Sequence, residues 1–192
     1  MKLKIIDTIE HEPSLLVMGA ELQRYLRRIE RHYPRLSDAM RGEWMGHPLH
    51  PIMTDIAIGG YTVAWALDLG WGLTEGELNE LQLRMKDAAD FSIAIGLAGS
   101  VLCVLTGPFD WARTKGRART MGLVHAATNA VGTVAYLGSW LARKRAPKAR
   151  FWLSMLGTVV ITVGAYLGGY MVYRQGVGVT MTEEVKLRQA DV

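Results

Sequence analysis

Residues 91–109, 120–142 and 151–173 contain no Asp, Glu, Lys or Arg, giving uncharged runs of 19, 23 and 23 residues. A helix crosses a bilayer core with about 20 consecutive, mostly apolar residues. A water-soluble helix keeps charge along its outward face, so three such runs exclude an ordinary soluble bundle. A fourth stretch, 51–73, holds only Asp55 and Asp68 as charges in 23 residues. The mean hydropathy of +0.10 is modest because charge is packed into the rest of the chain. The sequence therefore predicts an all-α fold. An integral membrane four-helix bundle over 46–179 follows an extramembrane amphipathic segment over 1–45 and precedes a polar tail over 180–192.

A single cysteine, Cys103, excludes an intrachain disulfide and any metal framework built from several thiolates of this chain. Met1 to Glu12 is polar and of mixed charge, with no apolar core, so no cleavable signal peptide is read there. The net charge of +4 is small and distributed for a membrane, not for nucleic acid.

From Ser14 onward, Leu15, Met18, Leu22, Tyr25 and Ile29 recur at spacings of three and four, with Arg24, Arg27, Arg28 and Arg31 between them. This is the pattern of a basic amphipathic helix ending at Pro34. Such a helix lies on an anionic leaflet, or packs on a partner or a second copy of itself through a short heptad seam. Pro51 suits the first turn of span one, and Thr74 with Glu77 reads as a capping box ahead of span two. Trp71, Trp111, Trp140 and Trp152 fall at span ends, where amphipathic rings prefer to sit. Four-residue spacing of Gly96 with Ser100, Gly122 with Ala126 and Ala130, and Gly164 with Gly168 allows close helix packing. No internal repeat is evident.

Lys and Arg set the orientation. The first 50 residues, the 110–119 loop and the tail after Tyr173 carry fifteen together, against seven in the 74–90 and 143–150 loops. Both termini are therefore expected in the cytoplasm, although the five cations of 143–150 argue the other way.

Alternating spans bring His47, His50, Asp55, Asp110, His125 and Asn129 to the terminus side of the bundle and leave Asp68 at the opposite end. Ionisable groups inside a membrane are costly and mark functional sites. His47, His50 and His125 are the candidate metal ligands, because neutral imidazole binds iron and other transition metals. His50 and His125, with Asn129, Asp110 and Asp55 around them, are the candidate cofactor-binding set, for a b-type haem or a metal ion. His125 and Asn129, at i and i+4, serve equally well as interhelical glue. No nucleophile–base pair occurs in the spans, so no enzyme is expected.

The segment Gly46-His47-Pro48-Leu49-His50-Pro51 resembles the opening of the bacterial membrane-protein family called domain of unknown function 2231. The likeness continues at Asp110-Trp111, Gly116-Arg117-Ala118-Arg119, Gly122-Leu123-Val124-His125-Ala126 and Asn129. It resumes at Gly168-Gly169, Tyr173 and Gly176-Val177-Gly178-Val179. The resemblance implies a bacterial inner-membrane protein. Some members of the family look like anchors for Rieske iron–sulfur or cytochrome c modules, which implies electron transfer and a membrane or soluble redox partner. Tyr170 stands where members with the Rieske extension show a histidine. Two other functions fit the residues: a cofactor-free structural subunit of a larger membrane complex, and a small permease or proton relay using Asp55, Asp110 and His125.

Overall fold

The computed structural model describes residues 4–72, 79–143 and 146–178. Among them are seven α-helices and one 3-10 turn: α1 (Lys4–His11), α2 (Pro13–His32), α3 (Pro34–Arg41), the turn Glu43–Met45, α4 (Leu49–Gly72), α5 (Glu80–Trp111), α6 (Gly116–Ala142) and α7 (Pro147–Gln175). The fold is all-α, as the uncharged runs require. Thr74 and Glu77 lie outside the described residues. The capping box that opens α5 is formed instead by Asn79 and Gln82, each side chain bonding the other's backbone N–H.

Among the described residues, two helices are long and apolar enough to cross a membrane, Glu80–Trp111 and Lys148–Gln175. The other two long helices are α4 and α6. Each long helix packs on two neighbours, closing the order α4, α5, α6, α7 into a ring. The closest packing is within two antiparallel hairpins, α4–α5 and α6–α7. A methyl at Gly60 or Gly99 of the first hairpin, or at Gly132 of the second, would collide with the facing helix. Small residues at these crossings let the backbones approach.

The hairpins repeat one another, which corrects the sequence expectation of no internal repeat. In the first helix of each, a His, a Tyr and a charged residue follow at intervals of eleven and seven: His50, Tyr61, Asp68 and His125, Tyr136, Arg143. Eleven and seven residues are about three and two helical turns, so each trio lies on one stripe. In the second helix, glycines eleven residues apart receive the rings, Gly96 against Tyr61 with Gly107 against His50, and Gly157 against Tyr136 with Gly168 against His125. The members of each trio then meet across the bundle axis. The Tyr61 and Tyr136 rings stack at 4.0 Å and 7°, and Arg143 pairs with Asp68 through its Nη1 at 3.0 Å. The two hairpins are thus related by a pseudo-twofold axis along the bundle.

At the far end, Arg143 also donates to Asp90 at 2.7 Å, and Arg150 reaches Asp68 at 3.5 Å while its guanidinium lies over the Trp71 ring. Arg143, Arg150 and Asp68 are almost fully buried. The cluster holds two cations and two carboxylates, the neutral combination that makes burial of charge affordable in energy. These two arginines therefore belong to the bundle interior, and the 143–150 loop loses two of its five cations as orientation signals.

The N-terminal segment holds three helices, two more than the amphipathic pattern alone indicates. Ile6 of α1 packs with Met121, Leu167 and Met171, and Glu10 accepts from Tyr170 and Gln175, both at 2.9 Å. Pro34 ends α2 and opens α3. Gly42, at φ 79°, closes α3 where a side chain would strike the His47 carbonyl. This left-handed turn, natural for glycine, delivers the His47-Pro48 pair into α4.

Candidate functional site

His50 lies in the first turn of α4 and His125 two turns into α6, at equivalent places in the two hairpins. Their ring centres are 6.5 Å apart and their planes cross at 84°. Each ring is backed by a glycine of its own hairpin, Gly107 behind His50 and Gly168 behind His125, with no room for a larger residue.

The hydrogen bonds fix which nitrogen of each ring carries a proton. His125 Nδ1 lies 2.9 Å from the Gly164 carbonyl. A carbonyl only accepts, so Nδ1 holds the proton and Nε2 presents a lone pair. His50 Nδ1 lies 3.4 Å from Thr106 Oγ1, and that hydroxyl already donates to the Leu102 carbonyl at 2.9 Å. Thr106 is therefore placed to accept from His50 Nδ1. Asn129 Nδ2 donates to the His125 carbonyl at 2.9 Å and lies 3.3 Å from His125 Nε2. Thr54 bonds the His50 carbonyl and is met by Cys103 Sγ at 3.8 Å. Anchoring of one imidazole nitrogen by a neighbouring group while the other stays available is the outer-shell arrangement of metal-binding histidines.

The remaining candidates lie elsewhere. His47 is exposed on the turn before α4, its Nδ1 donating to the Pro48 carbonyl at 2.9 Å. Asp55 is exposed on the outer face of α4. Asp110 closes α5 near the Arg41 and Arg113 guanidiniums. Of the six residues expected to converge, His50, His125 and Asn129 do. Tyr170 points to Glu10. Thr106, Gly107 and Gly164 complete the site; the sequence marks Gly164 only as a packing position and Thr106 and Gly107 not at all, because their roles depend on the partner helix.

A second polar centre sits on the N-terminal side. Arg41 is buried and donates to Glu30, Asp38 and Glu43 at 2.6, 2.6 and 3.0 Å. Glu43 also accepts from Arg113 at 2.8 Å, tying the turn to the α5–α6 loop. The Arg41 hydrogen bond, aided by Arg113, holds the Glu43 carboxyl below the usual carboxylate range, against desolvation that pushes it up.

The family model described as "Predicted membrane protein (DUF2231)" matches residues 46–181, from the turn before α4 to beyond the end of α7. No curated protein and no solved structure matches the chain.

Proposed function

The chain belongs to the predicted membrane protein family DUF2231, and on that premise we propose that it is a multi-pass, non-enzymatic subunit or anchor of a membrane electron-transfer system. In this reading His50 and His125 hold a transition metal ion, as a lone ion or as the iron of a b-type haem. The carrying observation is the 6.5 Å between ring centres. A metal bonded to one nitrogen of each ring at about 2.0–2.1 Å would separate the two centres by roughly 6 Å. The glycine-backed rings, each with its Nδ1 held by a neighbouring group, support that reading. When bound, the ion supplies one-electron exchange. The chain's own residues orient the ligands: Gly164 and Thr106 hold the Nδ1 protons, and Asn129 steadies the His125 turn. All four long helices cross the bacterial inner membrane in this reading, with both termini cytoplasmic.

The test is the absorption spectrum and metal content of the detergent-purified protein, expressed with haem precursor and trace metals supplied. A Soret band or stoichiometric metal is expected. Both His50→Ala and His125→Ala should abolish it while helical circular dichroism persists. A wild-type protein that is colourless and metal-free would overturn the proposal in favour of a cofactor-free structural subunit.

A further inference from the structure

Helix α2 presents three different faces. Gly19 and Gln23 are buried, with Leu26 and Glu30 half-buried on the same stripe. Gly19 packs on Arg119 and Leu123, and Gln23 bonds the Trp111 and Thr114 carbonyls. Met18, Leu22 and Tyr25 are 48%, 46% and 62% exposed, an apolar stripe that the protein leaves uncovered. Arg24, Arg28 and Arg31 are exposed on a third stripe. At 3.6 residues per turn these stripes divide the helix circumference into rough thirds.

We propose that α2 is a bilayer-interface helix that seats its Met18, Leu22 and Tyr25 stripe among the acyl chains of an anionic leaflet, with Arg24, Arg28 and Arg31 at the headgroup phosphates. Three observations select lipid over a protein occupant. First, Gln23 bonds the carbonyl of Trp111, the last residue of a helix long and apolar enough to cross a membrane, so α2 sits at the depth where a span ends. Second, the apolar stripe lies to the side of the bundle contact, as a helix lying in the interface plane beside its own spans requires. A soluble partner would meet the side opposite the bundle, which carries Glu21 and Arg28 instead. Third, exposed Arg113 and Lys115 of the adjoining α5–α6 loop and Arg117 in the first turn of α6 extend the cationic rim, and anionic lipid complements it.

The experiment uses the full chain in nanodiscs, with Cys103→Ser and a single fluorescent label at Met18→Cys, Leu22→Cys or Arg28→Cys. In discs containing phosphatidylglycerol, brominated acyl chains should quench labels at 18 and 22, and aqueous iodide should quench the label at 28. Replacing phosphatidylglycerol with phosphatidylcholine should weaken chain quenching at 18 and 22. In the labelled Met18→Cys protein, Arg24→Gln, Arg28→Gln and Arg31→Gln should each lower the docking equilibrium by roughly fivefold. Iodide access to positions 18 and 22 would overturn the proposal. So would shielding from both quenchers with cross-links between copies, which marks a protein interface. Chain quenching that is equal in neutral and anionic discs would overturn the anionic-lipid assignment.

Discussion

At the scale of single residues, depth along a helix was legible in the sequence and azimuth was not. His50 and His125 share a depth because odd spans begin on the same side, and the structure sets their rings 6.5 Å apart. Asp55 shares nearly that depth, but five residues beyond His50 is about 140° round the helix, and it faces outward. Asp110 and His47 stand apart from the His50–His125 pair for a related reason: Asp110 lies by the Arg41 and Arg113 guanidiniums and His47 Nδ1 meets the Pro48 carbonyl, contacts that a span diagram does not show. The Arg41 centre carries a pH prediction. Because the folded Glu43 carboxyl is held below its unfolded value, its contribution is present above the usual carboxylate pKa of about 4.3 and is lost as pH falls through the depressed value. Amide protection factors in residues 34–46, corrected for the intrinsic pH dependence of exchange, should therefore fall as the pH drops below about 4.5. Glu43→Gln should show the lower protection already at neutral pH and a smaller acid response; an unchanged acid response would refute the assignment.

At the scale of elements, the uncharged runs located the long helices well, since charge is excluded wherever a helix runs through the apolar zone. The helices extend past those runs, as α5 does by eleven residues before residue 91, because their ends are polar and capped. The N-terminal segment was half legible. The three-and-four spacing placed α2, but the residues binding it to the bundle are Gly19 and Gln23, which no apolar pattern marks. Gln23 donates to the Trp111 carbonyl at 2.7 Å and to the Thr114 carbonyl at 3.1 Å, and accepts from Arg119 Nε at 2.8 Å. Gln23→Leu keeps the size of the side chain and strands those groups, and an unsatisfied buried polar group costs about 1–3 kcal/mol. Hydrogen exchange should show α2 losing protection while α4 to α7 keep theirs. Equal loss throughout would mean that α2 is integral to the bundle and not a docked element.

At the scale of the whole molecule, setting aside the buried Arg41, Arg143 and Arg150 leaves fourteen cations on the terminus side against five on the other, so reporters fused at residue 80 and at the C-terminus should give opposite signals. Matching signals would refute the proposed four-span arrangement. The pseudo-twofold axis explains why the repeat escaped sequence inspection: it resides in five residues per hairpin, two of them glycines, and the pair Asp68 and Arg143 is complementary instead of identical. That difference makes a sharper test. Exchanging the pair, Asp68→Arg with Arg143→Asp, restores an ion pair across the axis. It also sets the new cation beside Arg150 and the new carboxylate beside Asp90, the groups that now reach Asp68 and Arg143 at 3.5 and 2.7 Å. The double exchange should therefore remain destabilised by an amount typical of a broken buried pair, about 3–5 kcal/mol. Adding Asp90→Arg and Arg150→Asp converts the cluster to its approximate image across the axis, because 90 and 150 occupy near-equivalent places in the second helices. The quadruple variant should recover most of the loss in thermal unfolding followed by circular dichroism in detergent. Full recovery by the double exchange alone would show that Asp90 and Arg150 are bystanders. Failure of the quadruple variant to improve on it would show that the two hairpins are not interchangeable at this end of the axis.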